Sequence, residues 1–397
     1  MKIVHLADTH LGAIGTGVQR YVEDPYGQNI RLRQQEADIR VSFATAIERT
    51  LTLGPAFVLH TGDLFDQAHP NPHSLDFAFR QLRRLSDAYI PVVLLEGDHS
   101  APRSAAQGEA LRLLTHLPGV EVACGVDPRR VEVAGVVIDA IPHRALLGDE
   151  PPAILQDAYE REANRFHILA AHGVADGWPF FQTWRNAAAL RIRQVASKFD
   201  YVALGHCHRF SQVPGTDRAF YPGAGAMALT GDFRPGYTFG FNVVTLCAGK
   251  APKVERELIS TRPMKVYGLS DAQSCSAQEI MEFLSAQVKE VPPSDAYCRV
   301  LVEGIDPAVR SQLSLREIER LFPIPEVAGH TIQLRSRAMT QGERAGRAGY
   351  TPLQRFLELT IQSNLEEDVR EEVVLLGTDF FSQAEAALSK EDQDSAG

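Results

Sequence analysis

From residue 1 to about 245, short apolar runs alternate with longer stretches whose apolar residues recur at helical spacing. Val41, Ala44, Ile47 and Leu51 predict one helix ahead of a strand over 56–59, and Leu75, Phe79, Leu82 and Leu85 predict another ahead of a strand over 91–95. Further strands are predicted over 119–123, 131–134 and 136–141. Strand–helix alternation of this kind predicts an α/β domain with a partly parallel sheet. Residues 12–36 interrupt the pattern with a polar, irregular insertion that carries Arg20, Arg31 and Arg33. Loops of that length inside a compact domain are commonly functional.

Residues 235–248 read as a strand that closes this first domain, and a turn near 249–252 leads to a strand over 253–259. A smaller α/β unit follows: strand 264–269, helix 277–289, strand 297–303, helix 307–321 and strand 330–335. Asp306 is the expected N-cap of the second helix. Residues 340–349 are rich in glycine and arginine and read as a linker. Beyond it, Leu353, Phe356, Leu357, Ile361 and Leu365 lie at helical spacing, and Phe380, Phe381 and Leu388 mark a second short helix. The chain therefore divides at the sequence level into 1–260, 261–338 and 350–389, followed by a polar, acidic tail.

Composition narrows the class. With 397 residues, 44% hydrophobic and 23% charged, the chain resembles an ordinary globular protein large enough for two or three domains. No apolar run approaches the ~18 residues of a membrane span. The start, Met1 to His5, runs directly into a motif, so a cleaved signal peptide is not expected. The cysteines, Cys124, Cys207, Cys247, Cys275 and Cys298, form no CxxC pair, which fits a reduced, cytoplasmic protein. A net charge of −10 argues against attraction to nucleic acid by overall charge and leaves local basic patches open.

The chemistry collects where apolar runs end. Leu6-Ala7-Asp8-Thr9-His10, Thr61-Gly62-Asp63-Leu64-Phe65-Asp66, Glu96-Gly97-Asp98-His99, Ala171-His172-Gly173 and Gly205-His206-Cys207-His208 occur in that order. A lone Asp or His at a strand end is more often a cap or a hydrogen-bonded structural residue than a ligand. Five such endings in one domain are a stronger signal, because ligands of open α/β sheets gather at the carboxyl edge of the strands. Carboxylate and imidazole donors together suit Mn, Fe or Zn. Two such ions ~3.5–4 Å apart suit in-line attack on phosphorus, with Asp63 the best candidate for a bridge.

Those motifs resemble the calcineurin-like metallophosphoesterases. Asp8-Thr9-His10-Leu11-Gly12, Gly62-Asp63-Leu64-Phe65-Asp66 and the polar insert are similar, more narrowly, to SbcD-type nuclease subunits. The resemblance implies a sandwich of two central sheets flanked by helices, followed by a small α/β cap domain and C-terminal helices. It implies Asp8, His10 and His208 as ligands of one metal, Asp98, His172 and His206 as ligands of the other, Asp63 as the bridge, and His99 as the catalytic histidine assisting the leaving oxygen. It further implies two divalent ions, Mn²⁺ foremost because imidazoles dominate the site, with DNA as substrate. The implied partner is an SbcC-like coiled-coil ATPase bound through 350–389, and the implied assembly is a homodimer.

Two positions depart from the family's Gly-Asn-His-Asp pattern, which reads Gly97-Asp98-His99-Ser100 here. Asp98 adds negative charge at a metal, which should tighten binding and weaken Lewis acidity. Ser100 stands where a carboxylate would orient His99, so His99 is expected to be less basic, and Ser100→Asp is expected to speed the reaction. Cys207 reads as a packed small residue, and His60 and His143 as structural or supporting. His69 and His73 read as exposed. The turn Tyr221-Pro222-Gly223-Ala224-Gly225 is open between substrate contact and structure. The arginines, including Arg80, Arg83, Arg84, Arg103, Arg129 and Arg130, read as a solvated face, although those beside ligand motifs could meet phosphates without regard to sequence. Three functions compete: a nuclease acting on DNA ends, a small-molecule phosphodiesterase, and a DNA-binding subunit with weakened catalysis. The added α/β unit and terminal helices favour the first over the second.

Overall fold

A computed structural model describes residues 1–102, 108–148, 152–155, 165–176, 189–228, 232, 237–289, 295–323, 326–337 and 374. The predicted helices at 350–389 and Arg103 lie outside these, apart from residue 374. By contacts the chain divides into two compact units. The first holds Met1–Tyr267, Val288–Val300 and Leu321–Ile332, and the second holds Gly268–Gln287, Leu301–Arg320 and Gln333–Gly397.

The first unit is built on two six-stranded sheets. One has the order Lys253–Ile259, Phe239–Thr245, Lys2–Leu6, Val58–His60, Val92–Leu95, Val120–Ala123. Its last four strands are parallel, with Val4 opposite Val58 and Val58 opposite Val92, and Phe239–Thr245 joins antiparallel to Lys2–Leu6. The other has the order Ser211–Gln212, Ala219–Tyr221, Tyr201–Gly205, Phe166–His172, Val136–Ile141, Arg129–Val133, parallel through its four central strands.

Alternation along each strand explains how the sheets stack. Ile3, Leu59 and Val93 share a buried core with Ile168, Ala170 and Ala203 of the other sheet. Their neighbours Val4, Val58 and Leu94 face the opposite way and pack with Phe43, Ile47, Phe77 and Leu82 of the helices Gln34–Leu53 and Pro72–Asp87. Leu169, Val202 and Leu204 pack outward against Ile192, Val195 and Phe199. Side chains of period two thus fill both faces of each sheet. The result is the sandwich of two sheets flanked by helices that the resemblance implied.

Two segments differ from expectation. The insertion is not irregular throughout: Tyr21–Glu23 and Arg31–Arg33 form an antiparallel hairpin, and the following helix begins at Gln34 rather than near 41. Arg40 is the reason. Its buried guanidinium donates to Asp24 at 2.9 Å and Gln28 at 2.7 Å and lies over the Phe77 ring. Asp24 also accepts from the backbone N–H of Tyr26 and Gln28, closing the hairpin's turn. In the second unit, the single helix expected over 307–321 is two, Pro307–Arg310 and Leu315–Glu319. Asp306 caps the first, as expected, while Ser314 accepts from the Glu317 N–H and starts a new helix four residues after the first ends.

Candidate metal centre

Parallel register brings the five chemical endings to one edge. Lys2–Leu6, Val58–His60 and Val92–Leu95 run side by side in one sheet, Phe166–His172 and Tyr201–Gly205 in the other. Asp8, His10, Asp63 and His206 each turn off their strands with positive φ, at 52°, 53°, 53° and 97°. Such backbone is held at a strain of about 1–3 kcal/mol per residue only where its surroundings over-determine it. Here the surroundings are the site itself. Asp8 accepts from the His206 N–H at 2.9 Å, and the His10 N–H donates to the Asp63 carbonyl at 2.9 Å.

All seven expected ligands converge. Asp8, His10 and His208 offer ligand atoms within 4.8 Å of one another, as do Asp98, His172 and His206. Asp63 lies between the groups: its Oδ2 is 3.3 Å from His172 Nε2 and 3.9 Å from His10 Nε2. Its Oδ1 accepts from the His99 N–H at 3.0 Å. Three glycines make this proximity possible. A Cβ on Gly62 would stand 2.0 Å from His172 Nδ1, one on Gly97 2.2 Å from Asp63 Oδ1, and one on Gly205 1.8 Å from the Thr61 carbonyl oxygen.

The hydrogen-bond pattern tests whether a cation fits. His10 Nδ1 meets Asp66 Oδ1 at 3.0 Å, and His208 Nδ1 meets Asp232 Oδ1 at 2.8 Å. Both partners are acceptors, so each neutral ring carries its proton on Nδ1 and presents a lone pair at Nε2. Yet the two Nε2 atoms are 3.0 Å apart. His172 repeats the arrangement: Nδ1 donates to the Thr61 carbonyl at 2.8 Å while Nε2 faces Asp98 Oδ1 at 2.8 Å. Asp98 Oδ1 also meets His206 Nδ1 at 3.0 Å. Acceptors facing acceptors in a buried site call for positive charge, supplied by extra protons or by a metal, and the donor set is one that divalent transition metals accept.

The protonation tendencies carry the same message. Burial would push the Asp98 carboxyl up, but the His172 and His206 imidazoles hold it well below the usual carboxylate range. Burial would lower His172, but Asp63 and Asp98 raise it well above an ordinary histidine. Burial likewise opposes a charged His208, and Asp232 lifts it to about 9. His60, by contrast, is pushed down to about 3 by burial and stays neutral.

One expectation about His99 is corrected. Ser100 does not leave it without a carboxylate, because Asp66 Oδ1 lies 3.4 Å and the Asp66 carbonyl 3.0 Å from His99 Nδ1. The Asp66 side chain raises His99 to about 9. Ser100 itself is buried and directs its hydroxyl to the Phe65 carbonyl at 3.4 Å. Asp66 and Asp232, which contact His10, His99 and His208, are the residues of the cluster that the sequence reading left without roles. Asp66 had a signal, its place three residues after Asp63. Asp232 had none, lying 24 residues beyond its partner His208 in no recognisable pattern.

The remaining candidates fall outside the cluster. His60 Nε2 meets Thr9 Oγ1 at 2.8 Å, supporting the first motif, and His143 lies behind His172. Cys207 is packed in the outer core of the second sheet, and His69 and His73 are exposed. The turn after Tyr221 braces the site: the Ala224 N–H donates to the His208 carbonyl, and a Cβ on Gly223 would meet that oxygen at 2.8 Å. Arg20 binds Asp295 and Gln34, Arg80 binds Asp76, Arg84 binds Glu48, Arg129 binds Glu121 and Arg130 binds Asp139. These arginines are engaged with the protein's own carboxylates.

Fold and centre together define a metallophosphoesterase, and the chain belongs to the calcineurin-like phosphoesterase family, which it matches over residues 1–210. Among curated proteins it is similar to DNA double-strand break repair proteins Mre11 of archaea. It is 25% identical over 208 residues to that of Saccharolobus solfataricus (52% of this chain, 49% of the relative). It is 30% identical over 212 residues to that of Methanocaldococcus jannaschii (53% and 52%) and 27% identical over 296 residues to that of Thermoplasma acidophilum (71% and 72%). The alignment to the first of these spans about half the relative's length.

Proposed function

We propose that this protein is a metal-dependent phosphodiesterase that hydrolyses DNA at ends, as exonuclease and endonuclease, in repair with an SbcC-like coiled-coil ATPase. Asp8, His10 and His208 would hold one divalent ion and Asp98, His172 and His206 a second, with Asp63 placed to serve both. The observation that carries this reading is the apposition of His10 Nε2 and His208 Nε2 at 3.0 Å, each ring with its Nδ1 committed to a carboxylate. When bound, two divalent ions supply charge stabilisation for in-line attack on phosphorus.

The protein's own groups do the rest. His99, about one-third exposed at the edge of the cluster, donates a proton to the departing oxygen. Its backbone N–H, bound to Asp63, ties that donor to the bridge. The DNA substrate is carried by similarity to proteins named for DNA double-strand break repair, and the ATPase by the resemblance of the motifs to SbcD-type nuclease subunits. On the same reading residues 1–260 form the nuclease domain, 261–338 the cap and 350–389 the ATPase-binding segment. The protein works as a homodimer in the cytoplasm, with Mn²⁺ in the site. Among the described residues no helix is long and apolar enough to cross a membrane.

The test is hydrolysis by purified, chelator-treated protein of labelled linear DNA and of a chromogenic phosphodiester, with Mn²⁺ or Mg²⁺ restored. Cleavage of both with Mn²⁺ is expected. Cleavage of the chromogenic ester alone would make the protein a small-molecule phosphodiesterase, and DNA binding without cleavage would make it a weakened subunit.

A further inference from the structure

A buried run of hydrogen bonds reaches His208 from the polar insertion. His208 Nδ1 meets Asp232 Oδ1 at 2.8 Å, and Asp232 Oδ2 accepts from the Ala228 N–H at 3.1 Å. That N–H belongs to the Met227–Ala228 peptide, whose carbonyl accepts from Gln35 Nε2 at 3.0 Å; the same amide donates to the Ala228 carbonyl at 2.9 Å. A trans peptide is planar, with its N–H and C=O pointing opposite ways. A grip on the Met227 oxygen therefore sets the direction of the Ala228 N–H. Gln35 is gripped in turn. Its Oε1 accepts from Gln19 Nε2 at 3.2 Å, and its backbone N–H donates to Gln19 Oε1 at 3.0 Å. That N–H lies in the first turn of the helix Gln34–Leu53, whose N-cap residue Arg33 makes no side-chain capping bond, so Gln19 supplies an acceptor there. Turning the Gln35 amide over would set NH₂ against NH₂ and oxygen against two carbonyls, so only one orientation is satisfied. Both glutamines are buried, and a Cβ on Gly15 would stand 1.9 Å from Gln35 Oε1. Gln19 is fixed by its own strand, where it lies opposite Gly329.

We propose that Gln35 is a positioning residue for the metal centre: through the Met227–Ala228 peptide and Asp232 it sets the aim of His208, with Gln19 of the insertion holding it in place. Satisfying two buried carbonyls would be reason enough for an amide at this position, and its loss would then lower stability alone. The run of bonds ends, however, on an imidazole whose other nitrogen faces His10 Nε2 at 3.0 Å. Hydrogen bonds in series also polarise one another, so the Ala228 N–H is a better donor to Asp232 while Gln35 holds the Met227 carbonyl. The insertion thus acts on His208 without touching it. The proposal rests on the reading of the site as a metal-dependent phosphodiesterase, and its test separates the two.

The experiment uses the full-length protein with Gln35→Met, Gln19→Met, Asp232→Ala and the double variant Gln35→Met/Asp232→Ala. Calorimetric Mn²⁺ titration of chelator-treated protein should show two sites in the wild type. In Gln35→Met one of them should weaken about 10-fold while the other holds. The double variant should bind as Asp232→Ala does, because Gln35 acts only through that carboxylate. Gln19→Met keeps both Gln35 donors but frees the amide to turn, so a smaller loss at the same site is expected. It decides the matter if Gln35→Met fails to fold. In the metal-free protein, amide exchange at Ala228 should quicken in Gln35→Met relative to that at Val202, in the strand Tyr201–Gly205. On a chromogenic phosphodiester, the kcat lost at low Mn²⁺ should return as Mn²⁺ is raised. A lower melting temperature with both sites at wild-type affinity would make Gln35 a residue of the fold alone and overturn the proposal. So would equal weakening of both sites, or a double variant whose loss is the product of the single losses. A wild type that binds Mn²⁺ without hydrolysing anything would defeat the functional reading while leaving the titration and the Ala228 exchange to decide this one.

Discussion

At the residue scale, the centre is a set of acceptors held against one another, and its variants should divide by whether they remove charge or aim. Asp63→Asn replaces the carboxylate between the triads with a neutral amide. It should abolish hydrolysis and lower metal occupancy, as read by elemental analysis of the purified variant. His99→Ala removes a proton donor and no ligand, so it should cost roughly 10²–10⁴ in kcat with both metals retained. Retained turnover in either variant would refute the role given to that residue. Ser100→Asp now carries the reverse of its first expectation. The site behind His99 already has Asp66, and the buried Ser100 hydroxyl faces the Phe65 carbonyl. A carboxylate there would face another acceptor, so the variant should melt lower and turn over no faster than wild type. A clear gain in kcat would show that Asp66 does not do for His99 what its position implies.

At the scale of elements, the site depends on backbone approach as much as on ligands. Gly62 sits at φ 99° with no room for a Cβ beside His172. Gly62→Ala should break the bond from His172 to the Thr61 carbonyl and reduce metal binding in a protein that still folds. Gly27→Ala is the control: Gly27 also has positive φ, 79°, but nothing lies within 4 Å of its Cβ position. It should show only the backbone strain, about 1–2 kcal/mol, with full metal content. Equal metal loss in both would make strain, not contact, the reason for Gly62. The hairpin before the first helix offers a separate test. Asp24 and Arg40 form a buried pair, and Asp24→Ala leaves the guanidinium with Glu36 at 3.6 Å and Gln28 at 2.7 Å, so it should destabilise the protein by about 1.5–3 kcal/mol in denaturant unfolding.

At the scale of the molecule, the residues of the centre all lie in the first unit, between Asp8 and Asp232. A chain ending at Gly349 should therefore keep its metals and its hydrolysis of a small phosphodiester. The apolar positions from Leu353 to Leu388 are the ones expected to enter a groove of the ATPase, so that chain should fail to co-purify with it. Co-purification despite the truncation would remove the docking claim. Loss of metals would mean instead that the C-terminal segment supports the first unit. Activity should also depend on Mn²⁺ more than Mg²⁺, because Mg²⁺ prefers oxygen ligands and water to imidazole. Equal rates with Mg²⁺ alone would count against that preference.

What the sequence determined by itself was which candidate residues would gather at one place, and the layers. Apolar runs that end in Asp or His marked Asp8, His10, Asp63, Asp98, His172, His206 and His208 as candidates, because ligands gather at the carboxyl edge of parallel strands, and the fold brings these candidates together. Period-two alternation likewise fixed which side chains share a face, as Ile3 and Val4 show by packing on opposite sides of one sheet. Neighbours across the fold were another matter. Periodicity says which way a side chain points but not what it meets, so the partnership of His208 with Asp232 was invisible, and so was the start of the first helix at Gln34. His99 shows the limit most plainly. Its expected weakness was inferred from the residue beside it in the chain, Ser100. Its basicity was decided by Asp66, which only the folded ladder between Leu11 and Phe65 brings within reach.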